Sequence, residues 1–297
     1  MKLHHLPLCA LLASGCRPPP APEELDELCA YLFGHFADEN PRELEAGMTN
    51  LDVWMRAHLE DTLEGYEVTN LSDAAVDVLD ERNHNTEEML GAAVGVLVET
   101  YDPYAISIAL TVEDPVEVIP GAHEDYVRTF LTDTECWVDM DCDRLQTTNH
   151  LMDNYPILGD VDSENFSEFR WVELETGLSM VQRAWLTRPS EVEYEAFELN
   201  DQYYLNVLLP HGATGTLTLQ SMWVDARLND DSVPESLALN LVISQMKAVY
   251  DDVAAFLDAN GAATQPEGCA AVPARRGLAL GALLGLLGLA AVRRRRG

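Results

Sequence analysis

A chain of 297 residues with 47% hydrophobic side chains carries enough apolar material for one large domain, or for a helical and a sheet section side by side. Its formal charge of −33 repels phosphate backbones and so excludes nucleic acid as a partner. The terminal arginines hide part of that acidity. Residues 18–268 hold 10 basic side chains against all 51 acidic ones, a net charge of −41 that keeps a surface protein soluble or draws cations.

Residues 1–16 read as an export signal: Met1-Lys2 supplies a positive start, 3–13 an apolar stretch, and small residues precede Cys16. Ala13-Ser14-Gly15-Cys16 resembles a bacterial lipobox, which implies acylation of Cys16 as the mature N-terminus. Ordinary signal cleavage nearby, with Cys16 incidental, is the alternative. Residues 17–22, Arg17-Pro18-Pro19-Pro20-Ala21-Pro22, form a stiff extended spacer.

Residues 23–120 read as a mainly helical section. The stretch 23–36 places Leu25, Leu28, Cys29 and Leu32 on one stripe, with Phe33 and Phe36 extending it. A second helix is predicted over 42–63, with Pro41 at its start. Thr86 caps a predicted third helix, with Glu87 and Glu88 in its first turn and Met89, Leu90, Ala93, Val94 and Leu97 along it. The run 105–118 is open between strand and helix.

Over 121–260 the pattern is a sheet closed by a long helix. Strands are predicted at 127–131, 145–152, 168–175, 178–187, 191–199, 202–209 and 214–228, separated by turns such as Glu175-Thr176-Gly177 and Asn200-Asp201. Short turns make sequential strands antiparallel neighbours. A helix follows, with Pro234 in its first turn and Asn260-Gly261 at its end. Its stripe is Leu239, Val242, Met246, Val249, Val253 and Phe256. The fold class is therefore α+β, a curved antiparallel β-meander packed on a long C-terminal helix, with extra N-terminal helices. Over about 120–258 this order is similar to the helix-grip fold of START-like lipid-transfer and cyclase domains. That resemblance implies a hydrophobic ligand, as an analogy of topology.

Cys136 and Cys142 are plausible disulfide partners in an oxidising compartment, whereas Cys29 fits a buried small side chain. The cysteine and histidine spacings give no zinc pattern. Asp139, Asp141 and Asp143 alternate as the carboxylates of a calcium loop do, but Arg144 stands where a turn glycine is needed and His150 where a bidentate glutamate is needed. They form either a loose Ca2+ site or a solvated acidic turn, as do Asp160, Asp162 and Glu164. His58, His84 and His150 have no partners in sequence that specify a catalytic set, His123-Glu124-Asp125 lacks the second histidine of a zinc-protease helix because Val127 stands there, His211 reads as a hairpin-loop residue, and no nucleophile elbow or phosphate loop occurs. No catalytic residue is nominated. Trp171, Trp185, Tyr204 and Trp223 lie on predicted strands and line either a ligand pocket or a solid core.

Residues 261–276 are a linker containing Cys269, and 277–297 are a membrane segment with an arginine tail. The uncharged run 277–292 spans roughly 24 Å as a helix, short of the ~30 Å hydrocarbon core. Arg293 to Arg296 keep its end cytoplasmic and the body exported. Cys269, spacer, Gly/Ala/Leu-rich helix and terminal arginines together resemble the myxobacterial MYXO-CTERM sorting tail. That likeness implies proteolytic removal near Cys269 and retention at the cell surface. The sequence thus describes an exported acidic protein, held at the bacterial cell envelope by an N-terminal lipid, a C-terminal segment or both. It is read as a binding protein for an apolar small molecule or a partner protein. An exported hydrolase with an unrecognised site, and a calcium-binding structural or adhesive envelope protein, are the alternatives.

Overall fold

The computed structural model describes residues 20–82, 84–120, 123–155, 159–228 and 235–266, with side chains outside the description at 155, 228, 235–242, 244 and 245. Cys16, Cys269 and the apolar run 277–292 therefore lie outside the described residues. Among the described residues no helix is long and apolar enough to cross a membrane.

Helix α1 (Leu25–His35) buries Leu25, Leu28, Cys29, Leu32 and Phe33 on one face. Asp26 and Glu27 at its start and His35 at its end complement the helix dipole. Helix α2 (Arg42–Thr62) presents Leu44, Met48, Leu51 and Met55 at three- and four-residue spacing and packs against α1. Gly47 permits that approach, since a Cβ there would come within 2.8 Å of Leu32 Cδ2. Both helices match their predicted ranges within two residues.

Among the described residues the sheet has nine strands: β1 (Tyr66–Glu67), β2 (Leu90–Val98), β3 (Asp125–Phe130), β4 (Arg144–Tyr155), β5 (Gly159–Leu174), β6 (Gly177–Leu186), β7 (Glu191–Val192), β8 (Phe197–His211) and β9 (Gly215–Leu228). Their order is β1-β2-β9-β8-β6-β5-β4-β3, with β7 pairing β5, and every pairing is antiparallel. Helix α6 (Glu235–Asn260) follows the last strand and lies on one face of this curved sheet. The α+β meander with a long C-terminal helix is thus present as expected. Residues 191–199 are not one strand but β7, a turn and the start of β8.

The predicted third helix is incorrect. Residues 90–98 form β2, which joins the sheet beside β9. LGAAVGVLV is apolar on every side, so helical spacing can be found in it although it is a strand buried on both faces. Gly95 marks the contact with α2, since a Cβ there would collide with Thr62 and come within 2.8 Å of Met55 Cε. Thr86 caps no α-helix; it opens a short 3₁₀ turn, 86–88, and its hydroxyl donates to Asp73 Oδ1 at 2.5 Å. The ambiguous run 105–118 is helical, with α4 (Pro103–Leu110) capped by the Asp102 carboxylate and a 3₁₀ turn at 115–117. The short helices α3 (Asp73–Val76) and α5 (Thr134–Val138) complete the helical elements.

Alternation along the strands builds two cores. On β8, Tyr203, Leu205, Val207 and Leu209 face α1 and α2, whereas Leu208 faces α4 and α6. The helix pair is pinned by three arginines of the sheet that reach the unpaired carbonyls at the end of α1. Arg183 donates to Phe33 O at 3.4 Å, Arg170 to Phe36 O at 2.7 Å, and Arg144 to Ala37 O at 3.3 Å. Glu168 balances Arg183 at 2.7 Å, and the guanidinium lies over the Phe36 ring at 4.8 Å. On the opposite face Cys136 and Cys142 form the expected disulfide beside α5, and Trp137 stacks on Trp171 at 4.3 Å. Cys29 is buried as read, its thiol pushed up to about 12 by that burial.

Candidate binding face between the sheet and the C-terminal helix

Register places three amide side chains side by side on the face that α6 covers. Gln182 of β6 is opposite Asn206 of β8, which is opposite Gln220 of β9. Asn206 Nδ2 donates to Gln182 Oε1 at 3.4 Å, and the Tyr250 hydroxyl of α6 donates to Asn206 Oδ1 at 2.5 Å. Asn206 is 2% and Gln220 1% exposed. Burial pushes the Tyr250 hydroxyl up, partly offset by its neighbours Gln220, Asn206 and Thr218. Gln220 is close enough to the Tyr250 hydroxyl to lower its pKa, yet among the described residues neither amide atom of Gln220 meets a partner with hydrogen-bond geometry.

The polar character continues along the next row. Tyr204 follows Ala184, and Ser167 and Thr147 extend the line across β5 and β4. Asn149 Nδ2 donates to Asn165 Oδ1 at 2.7 Å and Ser167 Oγ at 3.2 Å. Tyr204 keeps part of its surface open while its hydroxyl is surrounded, and that burial, ahead of Tyr250, pushes its pKa well up. A buried amide left without a partner costs about 1–3 kcal/mol per group. Asn206 and Asn149 are satisfied within the face, and Gln220 is the member of the row whose amide donor and acceptor stay open among the described residues.

The four aromatic candidates divide by strand parity. Trp223 is fully buried on the α1–α2 side, edge-on to Phe33 at 5.8 Å, and its Nε1 donates to Thr69 O. Trp185 is on the same side against Phe166 at 4.9 Å. Trp171 faces the α6 side but is packed between Trp137 and Tyr104. Tyr204 alone of the four adjoins the amide row. Asp143 turns toward Arg170 Nε at 3.7 Å, and among the described residues no three His, Cys, Asp or Glu side chains converge to hold a metal, Asp139 and Asp141 included. His123 pairs with Asp153 at 2.6 Å and His150 with Asp162 at 3.1 Å.

Gln182, Asn206 and Gln220 were missed in the sequence because a polar residue at alternate strand positions reads as the solvent face, and Tyr250 because it lies beside the aliphatic stripe of α6. The available signal was β8 itself: Leu205, Val207, Leu208 and Leu209 are apolar on both faces around Asn206.

No family model and no curated protein matches the sequence. Among solved structures, a STAR-related lipid transfer protein from Xanthomonas axonopodis is similar at 11% identity and TM-score 0.37, covering 59% of this chain and 97% of its own. Norcoclaurine synthase from Thalictrum flavum is similar at 10% identity and TM-score 0.36, covering 60% and 94%. The Zhui aromatase/cyclase from Streptomyces sp. R1128 is similar at 11% and 0.35, covering 58% and 93%.

Proposed function

We propose that this is an exported, surface-held binding protein that encloses one small molecule between the sheet and α6. The molecule is apolar over most of its surface and carries a hydrogen-bonding group such as a carboxylic acid, amide or hydroxy-ketone. The observation that carries this is Gln220, an amide buried to 1% exposure with no hydrogen-bond partner at either atom among the described residues. Val94 and Phe169, at the two ends of the amide row, offer apolar contact.

The test is a native mass spectrum of the full chain extracted in mild detergent from its own type of host. A small molecule retained by the wild type and lost from Gln220→Leu supports the proposal; two protein masses free of any adduct overturn it. The address is tested on the same sample by intact mass. Acylation at Cys16 and loss of the residues beyond Cys269 are expected, and soluble protein with both ends intact would contradict export and anchoring.

A further inference from the structure

At the far end of β8 and β9, beyond the Tyr203–Trp223 pair, Asp201 and Asp225 stand directly opposite each other. Like charges at opposed positions repel at a Cβ separation of about 5 Å. Both residues are nonetheless buried, at 4% and 5% exposure. A register shift between Leu199 and Asp201 re-aims the strand there, and the two carboxylates line a cleft of about 290 Å3 with Asn85, Asn200, Arg82 and Arg227.

The two carboxylates are treated differently. Asp201 is met by Arg82 at 3.0 Å and His84 at 3.1 Å. Arg82 is fully engaged, since it also bonds Asp80 Oδ2, Asn200 O and Leu186 O. Among the described residues Asp225 has no hydrogen bond; its ion-pair contact is Arg227 Nε at 4.0 Å, and Arg227 is half-exposed and shared with Glu88. A nine-tenths buried carboxylate that faces a cleft with only a 4.0 Å contact to a half-exposed arginine among the described residues is a group set for a ligand that brings a closer donor. The immediate surroundings hold Asp80, Asp201, Asp225 and Glu88 against two arginines, so the cleft favours positive charge. A metal is disfavoured, because no three acidic, cysteine or histidine side chains converge among the described residues.

We propose that this cleft binds a small organic cation with N–H donors, a primary ammonium or guanidinium, whose charged end pairs with Asp225. The site is on the α1–α2 side of the sheet and is separate from the amide row beneath α6. The net charge of −41 on residues 18–268 raises the local concentration of such cations.

The test is titration calorimetry of the full chain in detergent at low salt, with agmatine as probe and tetramethylammonium as a cation lacking N–H donors. Saturable binding of one agmatine per chain is expected, weakened at least tenfold by Asp225→Asn and unchanged by Glu113→Gln, an equal charge change at an exposed position remote in sequence. Arg227→Gln should tighten binding severalfold by removing the competing cation. Absence of saturable binding, equal binding of tetramethylammonium, or equal effects of Asp225→Asn and Glu113→Gln would each overturn the proposal. If Asp225→Asn does not fold, Arg227→Gln decides: tighter binding supports the site, and unchanged or weaker binding refutes it.

Discussion

Tyr250 and Asn206 join the C-terminal helix to the middle of the sheet through one hydrogen bond of 2.5 Å, in a layer where both residues are about 2% exposed. Tyr250→Phe removes the donor and leaves Asn206 Oδ1 buried and unpaired, at a cost of about 1–3 kcal/mol. Urea unfolding should show that loss with an unchanged m-value. A variant as stable as the wild type would mean that the bond is made equally well by water.

The docking of α1 and α2 depends on Arg183, which is balanced by Glu168 and aimed at Phe33 O. Both side chains are buried, so Arg183→Met strands the Glu168 charge and should cost about 3–5 kcal/mol. Replacing both, Arg183→Met with Glu168→Leu, should recover much of the loss. Thermal melts of the three variants check this, and a double variant as weak as the single one would contradict it.

Asp201 supplies a pH dependence whose sign follows from its surroundings. Burial raises its pKa above the ordinary value, against the opposing pull of Arg82 and His84. The folded state therefore holds the Asp201 proton more tightly than the unfolded state does. Its contribution to stability is largest below the unfolded pKa and declines as pH rises through the folded one. Relative to Asp201→Asn, the wild type should lose stability from about pH 3.9 upward. A stability difference that grows with pH over that window would refute it.

Gly95 sits where α2 presses on β2, and Gly95→Ala should overpack that contact by about 1–3 kcal/mol. The same substitution at Gly212, where a Cβ meets nothing within 4 Å, tests a different cost, the positive φ of 62°. Denaturation midpoints should fall for both, and a neutral Gly95→Ala would show that α2 can shift.

Legibility in the sequence followed exposure to a single neighbour. Helices α1, α2 and α6 each bury one stripe and could be read closely, as could β3, β6 and β9 between their turn residues. Half of β5 was missed because Asp160, Asp162 and Glu164 read as an acidic turn, and β8 was cut short at both ends. Strand β2 could not be read, because an element covered on both faces loses its periodic signature, and Gly91 and Gly95 were the remaining marks of close packing. The site failed for a related reason. Trp185, Trp223 and Tyr204 were visible as strand aromatics, but which face each occupied depended on helices packed against both sides. Gln182, Asn206 and Gln220 looked solvated until α6 was placed over them.

Whether the Gln220 amide, open among the described residues, holds a small molecule is decided by a crystal structure of protein purified without denaturation. Density for an organic molecule is expected beneath α6, with a polar atom within about 3.2 Å of the Gln220 amide. A Gln220 amide satisfied by protein groups, or by water alone, would contradict it.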